Sequence, residues 1–379
     1  MTIIVTMLFG CAEEFNAEIV DFESVLVVDA VLTNEIKQHV FLLSRTYRFR
    51  EGIEMESNAN IKVIEGGQTE YVFSETTPGN YVSNTSFAAR PGTDYQLMIT
   101  TQSGGVYFSD KVVITNETSL ENLYAEITTN NSNEEGISIL IDNIETETSS
   151  GYYRFEYEET YKIVAPFWNP QDLIIISDNP LTFDLVQKSQ EEQICYNTDM
   201  STKLILGNSN EFSNNRLSQY PVRFLNKEDY IISHRYSILV SQYSISREAH
   251  TFYETLNKFS GVESVFSENQ PGFFNGNLNT NLNERTIGFF EVSSVSSQRI
   301  FFDYKDFYPE PVAATFPDDC RISPPIISEL ANALRNGRVK YFSLNENPPR
   351  EEGPFFVVPR ICGDCTVLGS NLVPDFWIE

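Results

Sequence analysis

Residues 152–167 read YYRFEYEETYKIVAPF, with apolar side chains at nearly every second position. Tyr153, Phe155, Tyr157, Tyr161 and Ile163 share one face with a single carboxylate, Glu159, while Arg154, Glu156, Glu158, Thr160 and Lys162 share the other. A period of two is the signature of a strand. Such an aromatic face can be a stacking platform for a sugar or peptide. It reads first as the core side of a strand, with the charged face solvated and cross-paired.

The composition points the same way. The 28 Phe and 19 Tyr bring the aromatic share to 13%, and aromatic residues favour strands and sheet-packed cores. A chain of 379 residues with 41% hydrophobic side chains suffices for one large or two ordinary domains.

Upstream, SVLVVDAVLT (24–33) and QHVFLLSRT (38–46) are apolar-rich strand candidates. IKVIEGGQTEYVF places strands at 61–65 and 69–73 around Gly66-Gly67, which supply the positive φ of a tight hairpin. Turns at Pro78-Gly79-Asn80 and Ser103-Gly104-Gly105 separate further strands at 94–101 and 106–114. This spacing predicts an immunoglobulin- or fibronectin-like sandwich at 23–115, with a boundary near Asn116.

Residues 116–379 are expected to form a larger β-rich domain with two short helices. GISILIDN (136–143) and RYSILVSQYSIS (235–246) read as strands, and the polar stretch 128–135 as a loop or hairpin tip. Ser246 is the expected N-cap of a helix whose Ala249, Phe252, Tyr253, Leu256 and Phe259 recur at helical spacing. A second helix, 327–336, stops at Gly337.

The 53 acidic and 26 basic residues give a net charge of −27, which repels phosphate backbones and anionic headgroups. Nucleic-acid binding is thereby disfavoured. No later stretch reaches the roughly 18 apolar residues of a spanning helix, so membrane association falls to the N-terminus.

There, MTIIVTMLFGC joins a short apolar run to Cys11. Leu8 at −3 and Gly10 at −1 resemble a bacterial lipobox, with Phe9 an irregular −2 residue and no basic residue before the run. Residues 1–10 then act as a lipoprotein signal peptide, truncated if the true start lies upstream, and 11–22 as a lipidated acidic tether. Two acyl chains at about 0.8 kcal/mol per buried CH₂ anchor stably where one is marginal.

Cys195, Cys320, Cys362 and Cys365 remain. An even number in an exported chain predicts disulfides over a zinc site or redox-active thiols. The expected pairs are Cys195 with Cys320 and Cys362 with Cys365.

No metalloprotease, hydrolase-elbow, phosphate-loop or EF-hand pattern occurs in the chain. His39, His234 and His250 lie far apart and lack metal-ligand spacing. The chain therefore reads as a non-enzyme without a metal or cofactor, apart from covalent lipid on Cys11.

Several stretches in order resemble one family: YYRFEYEETYKI (152–163), RYSILVSQYSIS (235–246), FYETLNK (252–258), FSENQPGFFNGNL (266–278), TIGFFEVSS (286–294) and the run from CGDC to PDFW (362–377). They are similar to the Bacteroidota lipoproteins of domain-of-unknown-function family 4249. That resemblance implies an outer-membrane lipoprotein encoded beside TonB-dependent receptors, with no established catalytic residue. In that setting Glu13 and Glu14 act as a surface-export signal, placing the protein on the extracellular side of the outer membrane.

Within NQPGFFNGN (269–277), Phe273, Phe274 and Asn275 read either as a lid or partner-contact loop or as a structural turn. The expected function is a non-enzymatic accessory subunit of a TonB-dependent barrel, in substrate capture or gating. The alternatives are a subunit of another outer-membrane assembly, for protein insertion or adhesion, and a surface hydrolase.

Overall fold

A computed structural model describes residues 24–46, 52–114, 119–144, 150–260, 276–282, 285–309 and 316–379. Strands β1 (Leu26–Thr33), β2 (Val40–Arg45), β3 (Glu54–Met55), β4 (Asn60–Glu65), β5 (Thr69–Thr77), β6 (Asn80–Ser83), β7 (Asp94–Thr100), β8 (Val106–Ser109) and β9 (Val112–Val113) build the N-terminal part. The path β1-β2-β6-β5-β4-β7-β8 is antiparallel throughout. Leu26 and Phe41 from one end share a core with Leu97 and Tyr107 from the other, so the sheet curls over on itself. Gly66 and Gly67 turn the β4–β5 hairpin at φ +58° and +71°, the pair of positive φ values that a type I′ turn needs.

The C-terminal part continues with β10 (Ser119–Thr129), β11 (Glu135–Ile144), β12 (Tyr152–Val164), β13 (Gln171–Asp178), β14 (Leu181–Gln187), β15 (Ile194–Met200), β16 (Ile205–Asn208), β17 (Tyr220–Asn226), β18 (Arg235–Ser244), helix α1 (Arg247–Ser260), β19 (Leu278–Thr280) and β20 (Thr286–Asp303). Sheet β10-β11-β17 faces sheet β15-β12-β18-β20. Ile137, Ile139 and Ile141 meet Tyr153, Phe155, Ile238 and Val240 between them. The polar stretch 128–135 is a hairpin tip, where Asn130 Oδ1 accepts from the amides of Ser132 and Glu134 at 2.9 and 3.0 Å.

β20 serves both halves of the molecule. Residues 286–293 run parallel to β1, and residues 294–303 run antiparallel to β18. Ala30 and Phe290 lie side by side in the N-terminal core, while Phe302 enters the C-terminal one.

Helix α1 begins where the sequence places it: Ser246 Oγ accepts from the Ala249 amide at 3.1 Å, satisfying a donor that the first turn leaves open. Ala249, Phe252 and Tyr253 pack on Phe289, Tyr152 and Tyr243. The helix thus lies on the outer face of the C-terminal sheet.

The last lobe contains α2 (Ile327–Arg335), β21 (Val339–Leu344), β22 (Phe355–Pro359) and the single-turn α3 (Arg360–Gly363), a helix the sequence did not announce. Leu173, Leu330, Tyr341 and Val357 form its core. Gly337 closes α2 at φ +59°. Its amide donates to Leu334 O and that of Arg338 to Ala333 O, both at 3.0 Å, the two bonds of a Schellman cap.

Candidate functional site

The aromatic face of β12 is core. Tyr153, Phe155, Tyr161 and Ile163 are each at most 3% exposed, which leaves no stacking platform there. Glu159 is buried among them and is held bidentately by Arg223, with Nε and Nη2 each 3.0 Å from a carboxylate oxygen. Tyr236 OH donates to the same carboxylate at 2.6 Å. A buried charge is tolerable only when paired and hydrogen-bonded in this way.

The opposite face departs from the expected solvated surface. Arg154 is buried beneath α1, and its Nε and Nη2 donate to Glu291 at 3.2 and 3.0 Å. Nη1 donates to Glu156, and the guanidinium lies 4.2 Å from the Tyr243 ring centroid and 5.4 Å from that of Tyr253. Ser293 Oγ donates to Glu291 at 2.7 Å, and Tyr243 OH to Glu156 at 3.0 Å. Helix α1 removes water from this part of the face, so the charges pair with each other.

Asp29 stands at the rim by surface area, while the protein packed around its carboxyl pushes its pKa up. Arg154 opposes that shift, and Glu291 and Glu156 add to it. The arrangement holds the helix on the sheet and presents no free base beside a nucleophile.

Two disulfides tie down the last lobe, with pairings that correct the expected ones: Cys195–Cys365 and Cys320–Cys362. Cys362 sits in α3, but Asp364 is extended at φ −150° and ψ 100°. The backbone therefore turns between the two cysteines of CGDC and sends them to different partners. Asp318 Oδ1 lies 3.9 Å from Cys362 Sγ. Together with Cys320 these atoms have the proximity of a metal cluster, but joined sulfurs supply no thiolate ligands.

Beside the disulfides, Lys188 and Lys340 share Glu192 at 2.7 and 2.8 Å, and Arg360 holds Asp364 at 2.9 Å. Burial pushes the Asp364 carboxyl up, but hydrogen bonds from Thr366 and Arg360 outweigh it and hold the pKa below the usual range. A cavity of about 190 Å³ opens here between Asp172, Leu334, Val339, Lys340, Tyr341 and Arg360. A shallower one of about 570 Å³ lies between Ser24, Arg45, Glu54, Glu56, Gln102 and Ser103. Arg45 and Glu56 pair across the second at 2.5 Å. The cations lining both cavities are ion-paired, an arrangement that braces the walls.

The outer face of the N-terminal sheet carries a different chemistry. Val40, Leu42 and Val72 are 50%, 41% and 45% exposed, too open to be core. Register joins them into one patch: Val40 lies opposite Val82, Val82 opposite Ser74, and Val72 opposite Lys62, whose other neighbour is Met98. Asp29, opposite Leu42, together with Glu35 and Glu70 and their lysine partners, gives the patch a polar rim of mixed charge. Lys37 and Lys62 pair with Glu35 and Glu70, both at 2.5 Å. A contiguous apolar patch framed by polar groups is the usual mark of an interaction surface.

Sequence reasoning read QHVFLLSRT only as a strand. Its usable signal was apolar residues on both faces, Val40 and Leu42 as well as Phe41 and Leu43, where a half-solvated strand alternates with polar ones. Cys11, Glu13 and Glu14 lie outside the described residues, as do Phe273, Phe274 and Asn275. Just beyond that loop Asn277 is locked to Phe290: its Oδ1 accepts at 2.8 Å and its Nδ2 donates at 2.9 Å. His39 is buried, with Nε2 2.8 Å from Phe87 O. His250 packs tilted on Tyr152, and the three histidines stay apart.

No curated protein matches the chain. The model of the family described as Domain of unknown function (DUF4249) matches residues 12–299, well over half of the sequence, and the protein belongs to that family.

Proposed function

We propose that the protein is a lipid-anchored subunit of the outer-membrane surface that accompanies a TonB-dependent barrel in substrate capture or gating, without catalysis of its own. The apolar patch of Val40, Leu42, Val72 and Val82 carries this reading. A soluble enzyme has no need to keep aliphatic side chains open on a sheet face, whereas a subunit with a standing partner does. The anchor at Cys11 rests on the lipobox-like run before it, and the export signal at Glu13 and Glu14 and the barrel as partner come from the family resemblance.

Affinity purification from native outer membranes tests the reading, comparing the wild type with Leu42→Asp/Val72→Asp. A TonB-dependent importer is expected to co-purify with the wild type and to be lost from the variant. Recovery of an insertase barrel, or of no barrel at all, from the wild type would overturn the proposal. Acyl labelling of wild type against Cys11→Ser tests the anchor, and labelled lipid on the serine variant would sink it.

A further inference from the structure

The part of the C-terminal sheet that α1 leaves open is covered by a short strap, residues 370–379. Ser370 pairs with Tyr196 of β15, each amide donating to the other's carbonyl at 2.8 Å. Leu372 and Val373 then stand 74% and 61% exposed. After Pro374 the chain returns to the sheet. Phe376 lies against Arg299, 3.7 Å from the guanidinium carbon to the ring centroid. Trp377 meets Tyr196 and Phe301 edge-on, with centroids 4.9 and 5.8 Å away. Arg235 Nε donates to Ile378 O. Lys162 Nζ donates to both carboxylate oxygens of Glu379 at 3.0 and 2.9 Å, and Tyr196 OH donates to one at 3.3 Å.

We infer that this cradle is a docking groove for an acidic, aromatic peptide segment of another chain, filled here in cis by residues 376–379. Three observations carry the inference.

The first is that the contacts read a sequence. An aromatic ring faces a guanidinium, a second aromatic enters a cleft of two rings, a main-chain carbonyl meets an arginine and a carboxylate meets a lysine. Arg–aromatic and aromatic–aromatic contacts are attractive, and the charge-assisted bonds add direction.

The second is that the strap contributes nothing to the buried cores: among the described residues, none of 370–379 belongs to a core cluster. With Leu372 and Val373 already in solvent, residues 374–379 can lift without opening the sandwich.

The third is that the two arginines of the cradle keep their own partners when they do. Asp303 holds Arg235 at 2.9 Å, while Glu158 and Ser237 hold Arg299 at 2.6 and 3.2 Å. A groove whose two arginines are fixed before the ligand arrives loses little entropy at those positions on binding, while Lys162 takes its carboxylate from the strap itself. This inference stands apart from the identity of the barrel partner.

The strap is tethered next to its own site, so it competes at an effective concentration on the order of millimolar. It must be weakened to expose the groove. The test uses the full chain carrying Phe376→Ala/Trp377→Ala and a labelled synthetic peptide, LVPDFWIE, matching residues 372–379. Fluorescence anisotropy is expected to show saturable binding to this variant, at least about tenfold tighter than to the wild type. Adding Arg299→Ala or Lys162→Ala should weaken it again by a similar factor. A folded strap variant that ignores the peptide, or equal binding by variant and wild type, would overturn the inference. If the variant does not fold, hydrogen exchange on the wild type decides: the Trp377 amide must exchange far faster than those of β12 and β15, and equal protection overturns the proposal.

Discussion

Arg154 and Glu291 meet fork to fork, with hydrogen bonds of 3.2 and 3.0 Å, between the central strand of the C-terminal sheet and the half of β20 that pairs with β1. One ion pair therefore joins both sandwiches and the helix above them. Glu291→Ala takes from the buried guanidinium its two-pronged partner and leaves Glu156 on Nη1 alone, so it is expected to destabilise by about 3 kcal/mol. Replacing both, as Arg154→Met/Glu291→Leu, should recover most of that loss. Chemical denaturation of the singles and the double measures this. A single variant within 1 kcal/mol of wild type would show that the pair carries no weight.

The disulfides should differ in worth. Cys195–Cys365 closes a separation of 170 residues and Cys320–Cys362 one of 42. Loop-closure entropy then assigns roughly 5 and roughly 4 kcal/mol respectively. Cys195→Ser/Cys365→Ser is expected to lower the thermal midpoint more than Cys320→Ser/Cys362→Ser, read by calorimetry under non-reducing conditions. The reverse order would place the main constraint in native packing.

Acid should weaken the fold before the carboxylates titrate. Burial lowers the His39 pKa below its ordinary value, outweighing the Phe87 carbonyl, and it lowers His234 and His250 as well. Nδ1 of His39 has no hydrogen-bond partner among the described residues, so a second ring proton would be stranded. The unfolded chain takes up these protons first, near pH 6.5. Stability is thus complete above that value and is lost as pH falls through the folded pKa. Asp29 acts with the opposite sign, since its raised pKa favours the fold at low pH. The readout is therefore the difference between wild type and His39→Gln, whose midpoint should fall less between pH 7 and pH 5. Parallel curves would remove His39 from the effect.

Gly337 offers a purely conformational test. A methyl group there would meet only Arg360 Nη1, at 3.8 Å, yet the residue sits at φ +59°. Gly337→Ala is expected to cost about 1–2 kcal/mol, seen in urea titration as a lower midpoint with an unchanged slope. No loss would mean that the α2 cap relaxes freely.

Local features were legible in the sequence: the period of β12, the glycine hairpin, the Ser246 cap and the Gly337 stop. Each rests on a few neighbouring residues and on rules of backbone geometry. Arg154 was out of reach because nothing in its own strand says that α1 will cover it. The cysteine pairing failed for a related reason, since the extended backbone at Asp364 overrides nearness in sequence. Glu159 stood out as the one acid in an aromatic face, but its partner Arg223 lies 64 positions away. The apolar patch becomes a patch only once β2, β6 and β5 are placed side by side.

The parallel alignment of β1 with β20 also has a mechanical meaning. Leu26, the first residue of β1, lies beside Thr286, and the far end of β20 is rooted in the other sandwich. Tension between the upstream chain and the C-terminal body therefore acts along the ladder, loading its eight register pairs together in shear instead of peeling them one by one. A pull on the N-terminal end of β1 would meet the fold through its most resistant geometry.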